Sequence, residues 1–206
     1  MTQDSSEDRV GRRRYVLDTR PLLNFIYTDQ VKLLERLLGK PIYVPAMVHE
    51  EWKKARAALQ QELRRLPIRR QDPVQVRMLG NLDRARRRFH GNPFQVVHLH
   101  GEEMEQAMEL YEGHKDIHPG EADVLALCLH RGPGWIAVLD DRPAHELALT
   151  LQIPTVGTIE LLLKAVKQGL LSLNDGEHLL NEMRMNWPRA PRGRLAEYVS
   201  GRRQAW

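Results

Sequence analysis

Short apolar runs alternate with longer amphipathic segments along most of the chain. The runs 15–17, 42–44 and 135–139 have the length and the β-branched or aromatic content of buried strands. In the segments between them, such as 31–38 and 159–166, apolar residues recur every three or four positions, which predicts helices. Strands that alternate with helices form βαβ units, so the pattern predicts an α/β fold in which helices cover both faces of a mostly parallel sheet.

The segment 53–115 is less regular than the rest of the chain. Pro67 and Pro73 interrupt it, residues 76–89 predict a basic helix, and residues 94–99 alternate like a strand. We interpret this segment as a helical insertion in one domain rather than as a second domain.

Length and composition limit the organisation of the chain. The 206 residues are 42% hydrophobic and 28% charged, which suits a single globular domain, and we place that domain at 14–185. The polar residues 1–13 predict a disordered tail, and the arginine-rich residues 186–206 predict a basic C-terminal extension. The acidic start does not resemble a signal peptide, and no apolar run approaches the roughly 20 residues that span a bilayer. We therefore expect a cytoplasmic protein that does not enter a membrane.

Charge and cysteine content narrow the function classes. The single cysteine, Cys128, excludes an internal disulfide and a multi-cysteine zinc cluster. The net charge is +4, and arginines fall in clusters such as 12–14, 84–88 and 189–203. Clustered arginines are typical of a surface that binds a polyanion, although a solvated helix face explains the middle clusters equally well.

Acidic residues stand where predicted strands end and predicted helices begin. Asp18 follows the first strand, Asp140 and Asp141 follow the strand at 135–139, and Glu121 lies in the first turn of the helix after a Pro-Gly turn. The carboxyl ends of parallel strands meet at one edge of the sheet, where ligands of α/β proteins bind. Like charges gathered there resist joint ionisation, and a divalent cation removes that cost. The pattern therefore predicts a metal site, although acids at strand ends and helix starts also occur without one.

Four short motifs stand in well-defined strand or helix contexts. They are Tyr-Val-Leu-Asp-Thr at 15–19, Val-Pro-Ala-Met-Val-His-Glu-Glu at 44–51, Gly-Glu-Ala-Asp at 120–123 and Leu-Asp-Asp-Arg at 139–142. None is specific alone, but their order resembles that of PIN-like domains. The resemblance implies a three-layer α/β/α fold with a central, mostly parallel sheet.

The end of the predicted domain resembles the prokaryotic branch of that family. A Gly-Thr turn at 157–158 precedes an apolar helix with a Lys-Ala pair and a Gly-Leu end at 162–170. Many members of this branch are nucleic-acid-binding proteins or VapC-type toxins of toxin–antitoxin pairs, and they are often dimers inhibited by an antitoxin. The resemblance therefore implies RNA as the substrate, and a cognate antitoxin and a second copy of the chain as candidate partners.

The resemblance also implies an activity and the residues that carry it. It implies an endoribonuclease that hydrolyses RNA phosphodiesters with Mg²⁺ or Mn²⁺ held by a cluster of acids. Carried over by position, the catalytic acids are Asp18, Glu51, Glu121 and Asp141. The metal ligands would be Asp18, Glu121 and Asp141, with Asp140 as an equal rival of Asp141.

Five further positions receive secondary roles by the same resemblance. Glu50 is the second choice for the acid on the helix after the second strand, and Asp123 is an outer ligand or an ordinary helix-start acid. Thr158 of the Gly-Thr turn would support the site. Arg20 and Arg142, which follow two of the motifs, would contact substrate phosphate.

Three departures from the family pattern bear on activity. Arg20 stands where many relatives have serine, so it could pair with the nearby acid Asp18 instead of meeting phosphate. The usual arginine a few residues beyond the paired aspartates is missing, with His145 and Glu146 in that region, and the segment 53–115 is longer than in compact relatives. The alternative is therefore a non-catalytic nucleic-acid-binding or protein-interaction module on the same fold. A phosphotransfer domain fits less well, because Asp18-Thr19 is not followed by the second aspartate that a nucleophile loop of that type needs.

Overall fold

A parallel sheet forms the centre of the protein, which is described by a computed structural model over residues 13–187 and 189–200. Its strands are β1 (Arg14–Leu17), β2 (Ile42–Pro45), β3 (Phe94–Val97), β4 (Trp135–Val138) and β5 (Thr155–Val156). They lie in the order β3-β2-β1-β4-β5, and every neighbouring pair is parallel. The predicted α/β fold with a parallel sheet is confirmed.

Helices flank the sheet in a three-layer α/β/α arrangement. A single 3-10 turn, Ile68–Arg70, separates the third and fourth α-helices. In chain order, the α-helices of the described residues are α1 (Thr19–Tyr27), α2 (Val31–Leu38), α3 (Ala46–Arg65), α4 (Pro73–Phe89), α5 (Glu102–Gly113), α6 (Pro119–Arg131), α7 (Arg142–Thr150), α8 (Thr158–Lys167), α9 (Leu173–Asn186) and α10 (Leu195–Val199).

Local capping signals decide where several helices begin. Asp18 caps α1, because its side chain accepts a hydrogen bond from the Arg20 amide at 3.2 Å. Asp72 accepts a hydrogen bond from the Val74 amide at 2.9 Å, and Pro73 occupies the first helical position of α4. Because of these two capping features, α4 begins at Pro73, three residues before the start at 76 that the apolar periodicity predicts.

Strand β1 lies in the middle of the sheet, and its carboxyl end lies beside that of β4. Its last residue, Leu17, is paired with Val138 of β4, and both side chains are fully buried. The amide of Asp18 donates a hydrogen bond to the Val138 carbonyl at 3.0 Å. Asp18 therefore leaves the sheet directly beside Leu139 and Asp140, at the carboxyl edge where the acids were expected to meet.

The apolar core joins the sheet to the helices that carry the site. Leu17 of β1, Leu22 and Phe25 of α1, and Leu125 and Leu127 of α6 are all completely buried. Burial of each such side chain stabilises the fold by about 1.5–3 kcal/mol before chain entropy is counted. Helices α1 and α6 are consequently fixed against the sheet.

The segment 53–115 contains more than helices. It supplies β3, an edge strand that pairs with β2 from Ile42 to Pro45, and this strand ends at Val97, two residues before the predicted end. The sequence predicted a strand here, but it did not show that the strand joins the central sheet.

The two ends of the chain differ in what the structure describes. Residues 1–12, which carry most of the predicted disordered tail, lie outside the described residues. The predicted C-terminal extension contains α10, whose Leu195 is fully buried. The limits of the predicted domain and its insertion stay a prediction. Among the described helices, none combines the length and the apolar character needed to cross a membrane.

Candidate active site

A cleft of about 290 Å³ opens where Asp18 leaves the sheet. Its wall combines acids from three elements: Asp18 before α1, Glu51 on α3 and Glu121 on α6. Arg20 and Arg189 line the same cleft. The structure thus brings together three of the four acids that the sequence proposes as catalytic, and it adds positive charge beside them.

Asp18 is almost completely buried, with 3% of the residue exposed. Its carboxylate accepts the Arg20 amide hydrogen bond that caps α1. Burial, followed by repulsion from Glu121 and more weakly from Glu51, raises the pKa of Asp18 to about 7. An ionised Asp18 is therefore costly in this cleft unless a positive charge lies nearby.

Glu121 is positioned by the start of α6. Its Oε2 accepts a hydrogen bond from the His118 amide at 2.9 Å, the contact that a glutamate three residues after the N-cap makes in a capping box. The residue is 2% exposed. Burial, followed by repulsion from Asp141 and then Glu51, raises the pKa of Glu121 to about 7, although the His118 amide and Arg20 oppose the rise.

Glu51 reaches the cleft because α3 and α6 approach closely at a glycine. Thr19 Oγ1 donates a short hydrogen bond to Glu51 Oε2. A Cβ atom on Gly120 would lie 3.3 Å from both carboxylate oxygens of Glu51 and 3.2 Å from Val48 Cγ2. The absence of a side chain at Gly120 therefore leaves the space that the Glu51 carboxylate occupies.

The adjacent aspartates after β4 have different partners. Asp140 Oδ1 accepts from the Thr158 amide at 2.7 Å, and its Oδ2 accepts from Thr158 Oγ1 at 2.5 Å and from Asn24 Nδ2 at 2.9 Å. Asp141 instead forms a short ion pair with Arg20 Nη1. Both oxygens of Asp140 are thus occupied within the protein, whereas Asp141 faces the arginine that lines the cleft.

Burial raises the pKa of Asp140 above its ordinary value, although its hydrogen bonds with Thr158 and Asn24 oppose the rise. These contacts connect the strand end to α1 and α8. Asp140 therefore joins the end of β4 to both helices.

The remaining candidate residues do not line the cleft. Asp123 is half-buried, and burial followed by repulsion from Glu51 raises its pKa to about 6. Glu50 is exposed and forms a short ion pair with Lys53, whose hydrogen bond lowers the pKa of Glu50. Arg142 is also exposed, and its Nε lies 2.7 Å from Glu146 Oε1.

Three side chains at the site were not predicted from the sequence. Asn24 holds Asp140, and Trp187 and Arg189 complete the wall of the cleft. The sequence did mark Asn24 as unusual: it is a polar amide within the run 21–27 of the first predicted helix, whose other residues are apolar except for a tyrosine. Trp187 and Arg189 follow α9, and no local pattern links that position to the carboxyl edge of β1.

The donor chemistry of the cleft suits a hard divalent cation, since carboxylate oxygens are the ligands that Mg²⁺ and Mn²⁺ prefer. Asp18 and Glu121 are buried close enough to repel each other, and a cation would relieve that repulsion. Over residues 13–187 and 189–200, however, no three Asp, Glu, His or Cys side chains form a ready-made ligand set. The acids fit the metal in type and in place, but the side chains must move for an ion to be coordinated.

Comparison with known proteins supports the fold. No curated protein matches the chain in sequence. The family DUF3368, described as a PIN domain, matches residues 83–200, which is more than half of the chain. The matched range includes Glu121 and Asp141 but begins after Asp18 and Glu51. With the parallel sheet and the acids at its carboxyl edge, this match shows that the chain belongs to the PIN domain family.

Proposed function

We propose that the protein is a metal-dependent endoribonuclease that hydrolyses RNA phosphodiesters in the acidic cleft, the cleft that Asp18, Glu51 and Glu121 line. The observation that carries this proposal is the convergence of Asp18, Glu51 and Glu121 from three elements on one cleft. Arg20 and Arg189 lie in the same wall, where guanidinium groups can bind phosphate without distinguishing bases.

Asp18, Glu121 and Asp141 would hold Mg²⁺ or Mn²⁺, with Glu51 beside them. A bound ion would lower the pKa of a coordinated water and neutralise charge that develops on the phosphate oxygens. The pKa of Asp18 and of Glu121 is raised to about 7, so at neutral pH an ion must displace protons from these acids.

The protein's own contacts prepare the acids for this role. Thr19 orients Glu51 through a hydrogen bond, and the His118 amide fixes one oxygen of Glu121. Arg20 would exchange Asp141 for a substrate phosphate when RNA and the ion enter the cleft. That exchange would release the Asp141 carboxylate for the metal.

The neighbouring glutamates of α3 offer a matched test. Glu51→Gln removes a charge from the cleft wall, whereas Glu50→Gln makes the same change at an exposed residue paired with Lys53. We expect Glu51→Gln to lower Mn²⁺-dependent cleavage of single-stranded RNA by about 100-fold or more, which corresponds to a few kcal/mol of transition-state stabilisation. Glu50→Gln should stay within about twofold of the wild-type rate. Equal effects of the two substitutions would contradict the role proposed for Glu51.

The second candidate function is a nucleic-acid-binding module without catalysis. The ion pair between Arg20 and Asp141 favours it, because this pair occupies one of the proposed metal ligands. Titration calorimetry with Mn²⁺ and Mg²⁺ separates the two functions. The nuclease proposal expects binding at millimolar concentrations or below, and Arg20→Ala should strengthen it by freeing Asp141. No uptake by either protein would favour the binding module.

We also propose, on the family resemblance, that the protein acts as the toxin of a toxin–antitoxin pair, with a cognate antitoxin and a second copy of the chain as partners. Expression of the wild-type chain should then arrest growth, whereas expression of Asp18→Asn at equal level should not. Growth arrest by both chains, or by neither, would contradict a toxin that acts through the cleft.

A further inference from the structure

A second cleft, of about 560 Å³, lies between the end of α1, the start of α2 and the second half of α4. Four cationic side chains line it, together with one acid, Asp29. We call this cleft, whose cations are Lys32, Arg84, Arg87 and Arg88, the basic cleft. Cations outnumber acids in the wall of this cleft, whereas three acids, Asp18, Glu51 and Glu121, meet in the other one.

Part of this positive charge is not neutralised by the protein. Arg84 Nη2 lies 3.1 Å from Asp29 Oδ2, and Arg88 Nη1 lies 3.8 Å from Glu35 Oε2. Lys32 and Arg87 are exposed, and neither has a hydrogen-bond or ion-pair partner within residues 13–187 and 189–200. Arg84 also donates hydrogen bonds to Asp29 Oδ1 and Asn81 Oδ1, so the charge that the described residues leave unpaired in the basic cleft is that of Lys32 and Arg87.

The composition of the wall indicates the class of ligand. Besides the cations, Asn92 contributes a carboxamide, and Val31 and Ala85 are the apolar side chains. The carboxamide of buried Asn81 is already bonded to the Tyr27 carbonyl and to Arg84. Guanidinium groups present forked donors that match phosphate oxygens. A cleft of this volume and polarity suits a chain of phosphates rather than an apolar small molecule.

The basic cleft lies at the far end of α1 from the acids. Asp18 caps the first turn of α1, and Asp29 follows its last turn. A helix rises 1.5 Å per residue, so the two positions are about 15 Å apart. A stacked strand advances about 3.4 Å per nucleotide, so a strand needs at least four or five nucleotides, about 15 Å, to reach from one cleft to the other.

We propose that the basic cleft is a second binding site for the phosphodiester backbone of RNA, several nucleotides from the bond cleaved in the acidic cleft. The identity of the ligand as RNA rests on the proposed function; the presence of an anion site rests on the charge and volume of the cleft. Occupying both clefts raises the affinity for a long strand, because the second contact is intramolecular. RNA too short to span the clefts gains nothing from the basic cleft.

The test compares a long and a short RNA with matched charge reversals. Binding of labelled single strands of roughly 20 and roughly 3 nucleotides is measured by fluorescence anisotropy in EDTA at several salt concentrations. The test variant is Lys32→Glu/Arg87→Glu. The control is Arg65→Glu/Arg69→Glu, which makes the same change in net charge at exposed arginines outside the basic cleft.

We expect the test variant to bind the long strand about 10-fold more weakly than the control does, and the short strand within about twofold. For the long strand, the slope of log K (K, the association constant) against log salt should be less steep in the test variant than in the control by about 1.4. This is about 0.7 for each of two lost phosphate contacts on a single strand. Equal affinities and slopes for the test and control variants would overturn the proposal, as would a wild-type protein that does not bind the long strand.

Two further measurements separate the sources of failure. Saturable binding of inorganic phosphate alone at micromolar concentration, abolished by the test variant, would identify a small-anion site and overturn the strand proposal. RNA cleavage is measured separately with Mn²⁺. A protein that binds the long strand through the basic cleft but never cleaves it contradicts the nuclease function alone.

Discussion

At the scale of single residues, the buried carboxylates Asp18 and Glu121 set the properties of the cleft. Each has a pKa raised to about 7, with burial as the main cause and neighbouring acids as the next. Buried groups of like charge are destabilising unless they are protonated or paired with a cation. The metal-free protein should therefore respond to pH in a way that reveals these groups.

The pH dependence of Asp18 has a definite sign. Its pKa rises from the ordinary aspartate value of 3.8, which applies to the unfolded chain, to about 7 in the folded protein. Between these two values the folded state holds a proton that the unfolded state has released. The stability that Asp18 contributes is fully present below about pH 4 and is lost as the pH rises through about 7.

The Asp18→Asn variant removes this titration while keeping an N-cap residue. In EDTA we expect the variant to be more stable than the wild type at pH 8, by up to a few kcal/mol, and the advantage to shrink towards pH 5. Thermal unfolding of both proteins across this range measures the difference. Adding Mn²⁺ at pH 8 should stabilise the wild type more than the variant. A stability difference that does not change with pH would contradict the raised pKa.

Residue positions could be predicted from the sequence more readily than residue pairings. Asp18, Asp140 and Asp141 follow strands whose apolar runs are unmistakable, so their place at the carboxyl edge was predictable. The ion pair of Arg20 with Asp141 joins residues 121 positions apart. Such contacts depend on side-chain orientation in the packed structure, which no local pattern encodes.

At the scale of elements, the approach of α6 to α3 at Gly120 determines where Glu51 lies. A methyl group there would meet Val48 and Glu51 at 3.2–3.3 Å, closer than ordinary contact. Gly120→Ala should therefore displace the Glu51 carboxylate, destabilise the protein by about 1–3 kcal/mol and lower RNA cleavage. Thermal unfolding and a cleavage assay check both effects.

Gly80 of α4 provides the matched control for this substitution. A Cβ atom there would meet Arg84 Nη1 at 3.9 Å, which is ordinary contact. Gly80→Ala should be neutral or stabilise the protein by up to about 1 kcal/mol, since alanine has the higher helix propensity. If Gly120→Ala behaves like Gly80→Ala in stability and activity, the close approach has no functional role.

Secondary structure followed from the sequence where periodicity and caps agree. The strand–helix alternation gave the order of elements, and local caps account for shifts such as the start of α4 at Pro73. The joining of β3 to the sheet was not predictable, because its backbone pairing with β2 spans the whole of α3 and α4. Pairing over such a distance depends on how those helices pack.

At the scale of the whole molecule, the C-terminal residues pack on the body of the protein. Leu195 of α10 is fully buried, whereas Val199 of the same helix is 61% exposed. The residue Arg189, which lies between α9 and α10, lines the acidic cleft. We therefore propose that the folded unit extends beyond the boundary at 185 that the sequence predicts.

The two apolar residues of α10 test that extension. Leu195→Ala should destabilise the protein by about 2–5 kcal/mol, because it leaves a cavity in a packed site. Val199→Ala should change the free energy of unfolding by less than about 0.5 kcal/mol, since its side chain is largely in solvent. Urea denaturation measures both variants. Equal, negligible effects would show that the C-terminal residues are an appendage and that the predicted boundary is correct.

The most direct test of the proposed nuclease function is cleavage of a mixed single-stranded RNA by the wild type and by Asp18→Asn, each with Mn²⁺, Mg²⁺ or EDTA. We expect the wild type to cleave only with a divalent cation, and the folded variant to lose at least about 100-fold of that activity. Cleavage by the wild type in EDTA, or undiminished cleavage by the variant, would contradict a metal-dependent nuclease centred on Asp18. If neither protein cleaves and calorimetry finds no metal uptake, the cleft is not a nuclease site.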